Sequence, residues 1–384
     1  MNGWIRELHF LEGGLSGSTL WLRASTALCA LTVLFGAVAA FEHGRLARGS
    51  PGASRARTRT LEWATFTVLL GSLMASFASV WRRGIEVNHF PSQTMSEVLV
   101  MFTLALLASM AVLHFALRLR DFGPGWAILG DAVLVLVALG AWGTRVYVST
   151  LSTAQRDLPP ALQSYWFPPH LSALIFSYAT LGIAGAICAV YFAIRFWSGV
   201  FSGGRRARSQ FLTFACLALL PFVHVVTLPL ILAVGLVFLV LKLSGHLPAR
   251  DAVAGMERTM DEVSYRAFSV GMPFLTAGLF MGAFWAQEAW ANYWGWDSKE
   301  NSALITWLVY VLYIHLRWLG GVRGEKAMAV LMGGALSVFM TFQIFGYLPD
   351  SQKSLHRYTD DSVVPREGQQ GTASDESARL ERDE

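Results

Sequence analysis

Long, uninterrupted apolar runs are the feature that most constrains what this chain can fold into. Several of them, such as 170–194 and 267–289, reach the roughly 20 residues that an α-helix needs to cross a bilayer. The runs are continuous rather than alternating, which disfavours a transmembrane barrel. Charged residues make up 15% of the 384 residues, against roughly 25% in soluble domains. The sequence therefore predicts an all-α polytopic integral membrane protein.

The apolar segments predict about eight ordinary transmembrane helices plus one longer element. The longer element, 211–243, is too long for one crossing and short for two, and Pro221 and Pro229 bracket a turn in it. We interpret it as an extra helical hairpin, with one long in-plane element as the alternative. The predicted spans are 19–41, 61–81, 97–117, 125–144, 170–194, 211–243, 267–289, 302–319 and 327–348.

Basic residues between the spans predict the orientation, because loops rich in Lys and Arg stay on the cytoplasmic side. The loops 82–96 and 145–169 carry fewer basic residues and are expected outside. Both termini then lie on the extracytoplasmic side of a bacterial inner membrane, and 211–243 crosses an even number of times. The basic segments are 42–60, 195–210, 244–266 and 317–326.

The stretch WAQEAWANYWGWDSKEN, residues 285–301, combines indoles with charged side chains between two apolar runs. We call it the tryptophan segment. An interfacial aromatic belt uses scattered aromatics at helix ends and does not explain Asp297, Lys299 and Glu300 beside them. The mixture is typical of a surface site for a flat, apolar and partly charged ligand, such as heme. Its tryptophans are Trp285, Trp290, Trp294 and Trp296.

Histidines are the candidate ligands of heme iron. His170 opens a predicted span after LPPALQSYWFPPH, and His356 follows the last predicted span. The orientation predicts that both lie outside, on the same side as the tryptophan segment. Two histidines can therefore converge there, while the indoles supply flat contact with the macrocycle. Four basic residues could neutralise the heme propionates or could equally be solvated surface charges: Arg145, Arg156, Lys299 and Lys353.

His315 lies toward the inner half of its predicted span, in VLYIHLR. Two interpretations stay open. A histidine near a helix C-terminus is favoured by the helix dipole and needs no ligand. Alternatively, His315 is an inner heme ligand on an export route.

The run from MDEVSYRAF through the tryptophan segment to VLYIHLR resembles the heme-handling proteins of cytochrome c biogenesis. It is most similar to the CcsA family, also called ResC, of the System II pathway. The resemblance covers roughly 165–358, with a weaker similarity at NHFPSQTMSEVLV. One departure is Ser298, which stands where the family has proline in Trp-Asp-Pro-Lys-Glu.

The resemblance implies roles for individual residues. It implies that His170 and His356 ligate heme iron at an outer site, and that His315 lies on the route by which heme reaches that site. The implied cradle of the heme ring consists of Trp285, Trp290, Trp294, Trp296 and Asp297.

The resemblance also implies a working context. Reduced heme b would be the transient ligand, and the chain would be part of a cytochrome c synthase, or heme lyase, with no catalytic residue assigned to it. The implied partners are a CcsB (ResB)-like membrane protein, apocytochrome c with its CxxCH motif, and indirectly a thioredoxin-like thiol reductant, with no nucleic acid. The expected organisation is N-terminal helices over 1–160, a heme-handling core over 161–358 and a disordered polar tail over 359–384.

Two other classes of function remain open. The first is a System I heme-delivery protein related to CcmC or CcmF, which share the tryptophan motif. The second is a membrane b-type cytochrome or transporter that takes no part in maturation.

Overall fold

The computed structural model describes residues 17–117, 124–151, 160–202 and 250–343. Over these ranges the chain folds into α-helices and one short 3-10 turn, Pro160–Leu162, with no strand. The helices are α1 (Gly17–Ala47), α2 (Arg55–Val87), α3 (Met95–Leu117), α4 (Pro124–Val148), α5 (Phe167–Ser202), α6 (Arg250–Trp290), α7 (Ser298–Trp318) and α8 (Glu325–Gln343).

Five of the described stretches are long and apolar enough to cross a bilayer. A shorter apolar helix, Val133–Val148, lies within α4. The prediction of a helical membrane protein is confirmed at this level. The predicted hairpin 211–243 and the polar tail lie outside the described residues. The five stretches are Gly17–Leu46, Arg55–Val87, Met95–His114, Phe167–Trp197 and Glu257–Trp290.

Consecutive helices run antiparallel, so their connections gather at two opposite ends of the bundle. In the α1–α2 pair, Ser18 Oγ donates to Glu86 Oε2 at one end (2.5 Å), and His43 contacts Glu62 at the other (2.7 Å). The end that carries residues 285–301 is called the tryptophan end. The opposite end carries Arg57 and Arg323 and is called the basic end.

The antiparallel packing of α5 on α6 bears on the segment between them. Tyr191 in α5 donates its hydroxyl to Glu257 Oε2 in α6 (3.1 Å), and Arg195 pairs with Glu325 at the start of α8 (2.8 Å). The described chain therefore leaves α5 and re-enters α6 at the same end, the basic end. The prediction that 211–243 crosses the membrane an even number of times requires α5 to end and α6 to begin on the same side.

Arg145 lies inside the bundle and is only 1% exposed. Its Nε donates to Thr103 Oγ1 (3.2 Å), and its Nη2 donates to Ser76 Oγ (2.5 Å). Its Nη1 donates to Cys29 Sγ (2.8 Å) and to the Ser25 carbonyl (3.1 Å). One guanidinium thus ties α4 to α1, α2 and α3. The prediction that Arg145 meets heme propionates at the surface is wrong, because neighbouring helices supply hydroxyl acceptors that draw the side chain inward.

A buried ionic cluster joins the same helices near the basic end. The Nδ1 of His43 lies 2.7 Å from Asp131 Oδ2 in α4, and its Nε2 lies 2.7 Å from Glu62 Oε1 in α2. Both ring nitrogens face carboxylate oxygens, which only accept hydrogen bonds, so the imidazole donates from both and carries a positive charge. His43 is therefore the cation between one carboxylate of α2 and one carboxylate of α4.

We predict that His43→Ala destabilises the bundle by about 3–5 kcal/mol, since it leaves buried carboxylates facing each other without their cation. The measurement is the thermal midpoint of the purified protein in detergent. The double variant His43→Ala, Asp131→Asn removes one of the negative charges and should recover part of the loss. Equal midpoints for the wild type and His43→Ala would contradict the ionic role.

Candidate functional site

His170 lies in the first turn of α5, at the tryptophan end, and is held against α6. Its Nδ1 lies 2.8 Å from the backbone carbonyl oxygen of Gly278. A carbonyl only accepts, so Nδ1 carries the proton in this hydrogen bond. This is the arrangement in which a backbone carbonyl orients a histidine that ligates metal through its other nitrogen.

Glycines on α6 make room for this ring. A Cβ at Gly282 would lie 2.6 Å from His170 Cε1 and 2.8 Å from its Nδ1, closer than atoms approach in a packed protein. One helical turn earlier, a Cβ at Gly278 would lie 2.6 Å from Leu174 Cδ2. The imidazole therefore reaches the α6 backbone only because side chains are absent there.

Trp285 forms the floor of the site. Its indole is 2% exposed, and its Nε1 donates to the carbonyl oxygen of Ala161 in the 3-10 turn (2.8 Å). Its ring stacks on His170, with centroids 5.6 Å apart and an interplanar angle of 26°. Trp290 (4.9 Å) and Phe167 (5.1 Å) pack against the same indole. Trp285 thus supports His170 from inside the protein instead of offering an open surface.

The remaining tryptophans are more open than Trp285: Trp290 and Trp294 are half-buried, and Trp296 is exposed. Trp290 ends α6, and a loop of extended and bent backbone carries Trp294 and Trp296. The Trp294 and Trp296 rings meet edge to face, with centroids 6.2 Å apart. Trp296 is 71% exposed and has a positive φ of 57°, which is uncommon for a bulky residue. The open aromatic surface is therefore at Trp296 and neighbouring Tyr293, not across the whole segment.

Asp297 has a clear structural role as the N-cap of α7. Its Oδ1 accepts from the Lys299 amide (2.6 Å), and the Glu300 carboxylate accepts from the Asp297 amide (3.1 Å). This is a capping box, in which two backbone donors are satisfied reciprocally. The Glu300 carboxylate also accepts from the Gly295 amide (2.8 Å). The charged residues of the tryptophan segment thus shape the loop that carries Trp294 and Trp296.

Three buried polar atoms in this loop and the first turn of α7 have no hydrogen-bond partner among the described residues. They are the Trp294 Nε1, the Ser298 hydroxyl and the Asn301 Oδ1. Unpaired buried polar atoms are uncommon in native proteins and usually indicate a bound water or ligand. Two of the three can donate, so they suit an anionic or strongly polar acceptor.

Sequence reasoning missed several residues that build the site. The 3-10 turn supplies the carbonyl of Ala161, and Ser164 donates to Glu288 Oε2 on α6 (2.5 Å). Trp166 packs on Phe284, with centroids 4.9 Å apart. The run LPPALQSYWFPP signalled an approach to His170, but its prolines could not show that it folds back onto α6.

His315 lies at the opposite end of α7, in its last turn, as its position in the sequence predicted. Its Nδ1 donates to the Val311 carbonyl (2.8 Å), and the side chain is exposed. It shares the outward face of α7 with Leu308 and Leu312. The structure therefore separates His315 from His170 by the length of the helix.

The other predicted site residues divide between partnered and undescribed ones. The Lys299 amide takes part in the α7 cap. His356, Arg156 and Lys353 lie outside the described residues. The structure thus brings together His170, Trp285 and Trp290, with Trp294, Trp296 and Asp297 on the adjoining loop.

The fold is a polytopic helical bundle with an aromatic, histidine-containing site at one end, and its sequence has recognisable relatives. Residues 58–349 match the family of the cytochrome C assembly protein, and the chain belongs to that family.

Its relatives within the family are CcsA proteins. The cytochrome c biogenesis protein CcsA of Guillardia theta is 30% identical over 299 residues, which is 77% of this chain and 81% of the relative. CcsA of Heterosigma akashiwo is 28% identical over 303 residues, 77% of this chain and 84% of the relative. CcsA of Microcystis aeruginosa strain NIES-843 is 29% identical over 290 residues, 72% of this chain and 81% of the relative. The family predicted from the tryptophan segment is confirmed.

We predict that Asp297→Asn preserves the stability of α7 and that Asp297→Ala lowers it by about 1 kcal/mol, because asparagine caps helices as well as aspartate and alanine does not. Thermal midpoints of the two variants test this. If the asparagine variant is destabilised as much as the alanine variant, the charge of Asp297 does more than cap the helix.

Proposed function

We propose that this chain holds reduced heme b at the tryptophan end and presents it for covalent attachment to the CxxCH motif of apocytochrome c. Membership in the cytochrome c assembly family supports a role in cytochrome c biogenesis. The observation that carries the finer proposal is the geometry of His170. Its Nδ1–H bonds to the Gly278 carbonyl, which is the way in which a histidine that ligates a metal through Nε2 is oriented.

The residues around His170 suit the chemistry of heme. Trp285, which stacks on His170 and is backed by Trp290, limits rotation of the imidazole and makes its surroundings apolar. Trp296 and Tyr293 offer exposed rings to a flat macrocycle. The unpartnered Trp294 Nε1 and Ser298 hydroxyl are donors that suit propionate carboxylates. An apolar cradle with donors at its rim matches a ligand that is apolar at its centre and anionic at one edge.

His356 is the proposed second ligand. Helix α8 runs from the basic end to the tryptophan end, because Glu325 pairs with Arg195 at its start and Thr341 contacts Thr306 near its other terminus (3.1 Å). The described chain therefore stops at Gln343 on the side of His170. The 13 residues from there to His356 can reach about 45 Å when extended.

His315 is proposed as an inner ligand on the route to this site. Its Nδ1–H is committed to Val311, so the same tautomer as in His170 is favoured. Its side chain points outward from the bundle. A heme held there would lie on the face of α7 that points away from the bundle, where a CcsB-like membrane partner can cover it.

The proposed chemistry requires positioning more than acid–base catalysis. Each apocytochrome thiol adds across a heme vinyl group: sulfur bonds to one vinyl carbon, and the thiol hydrogen goes to the other. The step needs no net oxidant or reductant. The chain holds iron ferrous through its ligands and orients the vinyl edge, and the histidine of CxxCH then replaces one protein ligand, which releases the product.

The partners and location follow the same proposal. The active face is extracytoplasmic in a bacterial inner membrane, the thiols are kept reduced by a thioredoxin-like protein, and the chain acts as part of a heme lyase with a CcsB-like partner. Similarity to CcsA proteins favours this System II role over a System I heme-delivery protein. The placement of His170 at a helix terminus rather than mid-bundle favours it over an electron-transfer cytochrome.

We predict that the chain, co-expressed with a CcsB-like partner in a host that lacks its own maturation system, produces a reporter cytochrome c with covalent heme. His170→Ala should abolish covalent attachment and lower the heme content of the purified protein. Covalent heme is measured by peroxidase staining of denaturing gels. Unchanged heme content in both His170→Ala and His356→Ala would refute the outer site.

We also predict that Gly282→Ala lowers heme occupancy although residue 282 touches no heme in this proposal, because the new methyl group displaces His170. The matched control is Gly182→Ala on α5, where a Cβ meets nothing within 4 Å. The visible absorption spectrum of the ferrous protein reports the axial ligands. Added imidazole should restore a ligated spectrum in Gly282→Ala, which a general folding defect would not allow.

A further inference from the structure

The face of α7 that points into the bundle is polar along its whole length. Its buried residues are Ser302, Thr306, Tyr310, Tyr313 and Arg317, at the three- and four-residue spacing of one helical face. The opposite face exposes Ile305, Leu308, Leu312 and Trp318. This is the reverse of a helix in a soluble protein, and in membranes an inward polar face marks a water-filled or functional interior.

Several polar atoms of this interior have no protein partner within the described ranges. They are the hydroxyls of Tyr310 and Tyr313 and the Nε of Arg317, and these three residues are 0%, 1% and 3% exposed. The hydroxyl of Ser177 on α5 is in the same condition. Leaving such a group dry costs about 1–3 kcal/mol, so a dry interior would carry this penalty several times.

The rings of the two tyrosines pack in an apolar cluster, with the Phe268 ring centroid 5.7 Å from that of Tyr310 and 4.7 Å from that of Tyr313. Cys188 of α5 belongs to the same buried cluster. Cys188 occupies the same face of α5 as Ser177, three helical turns away. The tyrosine hydroxyls therefore lie among apolar side chains, and the described residues give them no hydrogen-bond partner.

An ion pair closes this region toward the basic end. The Nη1 of Arg317 donates to Asp261 Oδ1 (2.6 Å), and both side chains are buried. The guanidinium also lies over the Tyr265 ring, 4.1 Å from its centroid. Charges at this depth are most stable where water or further polar groups complete their hydrogen bonds.

We propose that α5, α6 and α7 enclose a hydrated chamber, in which bound water molecules satisfy Tyr310, Tyr313 and Arg317. The chamber begins at the Asp261–Arg317 pair and gives water access from the basic end to the centre of the bundle. Ordered water with two to four polar partners is the usual way to satisfy such groups.

The chamber is distinct from the heme sites proposed above and does not depend on them. A Cβ at Gly334 would lie 2.4 Å from the Tyr310 ring, so α8 packs closely on this ring and leaves no room for a macrocycle beside it. His315 lies on the opposite, outward face of α7. One helix therefore separates a wet interior from an apolar surface.

Hydroxyl-radical labelling in water enriched with oxygen-18 tests the proposal on the full chain in lipid nanodiscs. Radicals generated by an X-ray pulse react where water is bound, so Tyr310 and Tyr313 should take up the label to a degree comparable with exposed Tyr293. The control is Met110 on α3, which is 2% exposed in the same buried cluster as the tyrosines, has no hydroxyl to hold water and is intrinsically more easily oxidised. Labelling of both tyrosines no stronger than that of Met110 would overturn the chamber.

The variants Tyr310→Phe and Tyr313→Phe provide a second, thermodynamic test. If the hydroxyls are dry, their removal raises the thermal midpoint, because an unsatisfied group disappears. If water satisfies them, the midpoint stays the same or falls. Tyr191→Phe is the matched control, since the Tyr191 hydroxyl is bonded to Arg195 (2.7 Å) and Glu257 and its removal should lower the midpoint. A rise in both test variants would overturn the proposal.

Discussion

The contact between His170 and the backbone of α6 is the interaction on which the site depends. The Gly278 carbonyl accepts from Nδ1, and the missing side chain at Gly282 admits the ring. Both need α5 and α6 to pack closely and antiparallel, and the glycines of α6 permit that approach. Trp285 then stacks on the imidazole, and its own position depends on the Ala161 carbonyl. These few contacts determine that Nδ1 of His170 carries a proton, where its ring lies along α6 and how the ring is oriented.

Some residues of the tryptophan segment stabilise the fold, and others form an exposed surface. Trp285 is a buried support, and Asp297 and Glu300 form the cap that starts α7. Only the end of the loop, around Trp296, offers exposed aromatic area. A motif with one apparent purpose in the sequence thus contains a buried support for His170, a helix cap and an exposed aromatic surface. Substitutions within it should consequently affect folding and ligand binding to different degrees.

Buried polar groups organise both halves of the bundle. In the first half, Arg145 and His43 connect four helices through hydrogen bonds and ion pairs. In the second half, the inward face of α7 collects hydroxyls and a buried guanidinium. Apolar contact alone does not favour helix association inside lipid, where the tails are as apolar as leucine, so polar contacts and close packing determine which helices meet. The exposed apolar side chains of α2 and α7 are the complement of this arrangement, since they face outward.

The sequence by itself determined that the chain is a helical membrane protein, where most helices lie, and to which family it belongs. Continuous apolar runs and a dense aromatic motif are local patterns, so they can be recognised in the sequence without knowing which helices contact each other. It also predicted that the basic loops gather at one end, because charge bias acts loop by loop. Which membrane side that end faces remains a prediction.

Only the tertiary structure decided the parts that depend on contacts between distant residues. Arg145 looked like a surface cation, but Ser25, Ser76 and Thr103 draw it inside. Trp285 looked like part of an open cradle, but the 3-10 turn covers it. The distinction between a His170 that faces backbone and a His315 that faces outward is also invisible in the sequence. The physical reason is that burial and hydrogen-bond partners come from helices far apart in the chain, and apolar periodicity does not specify which helices meet.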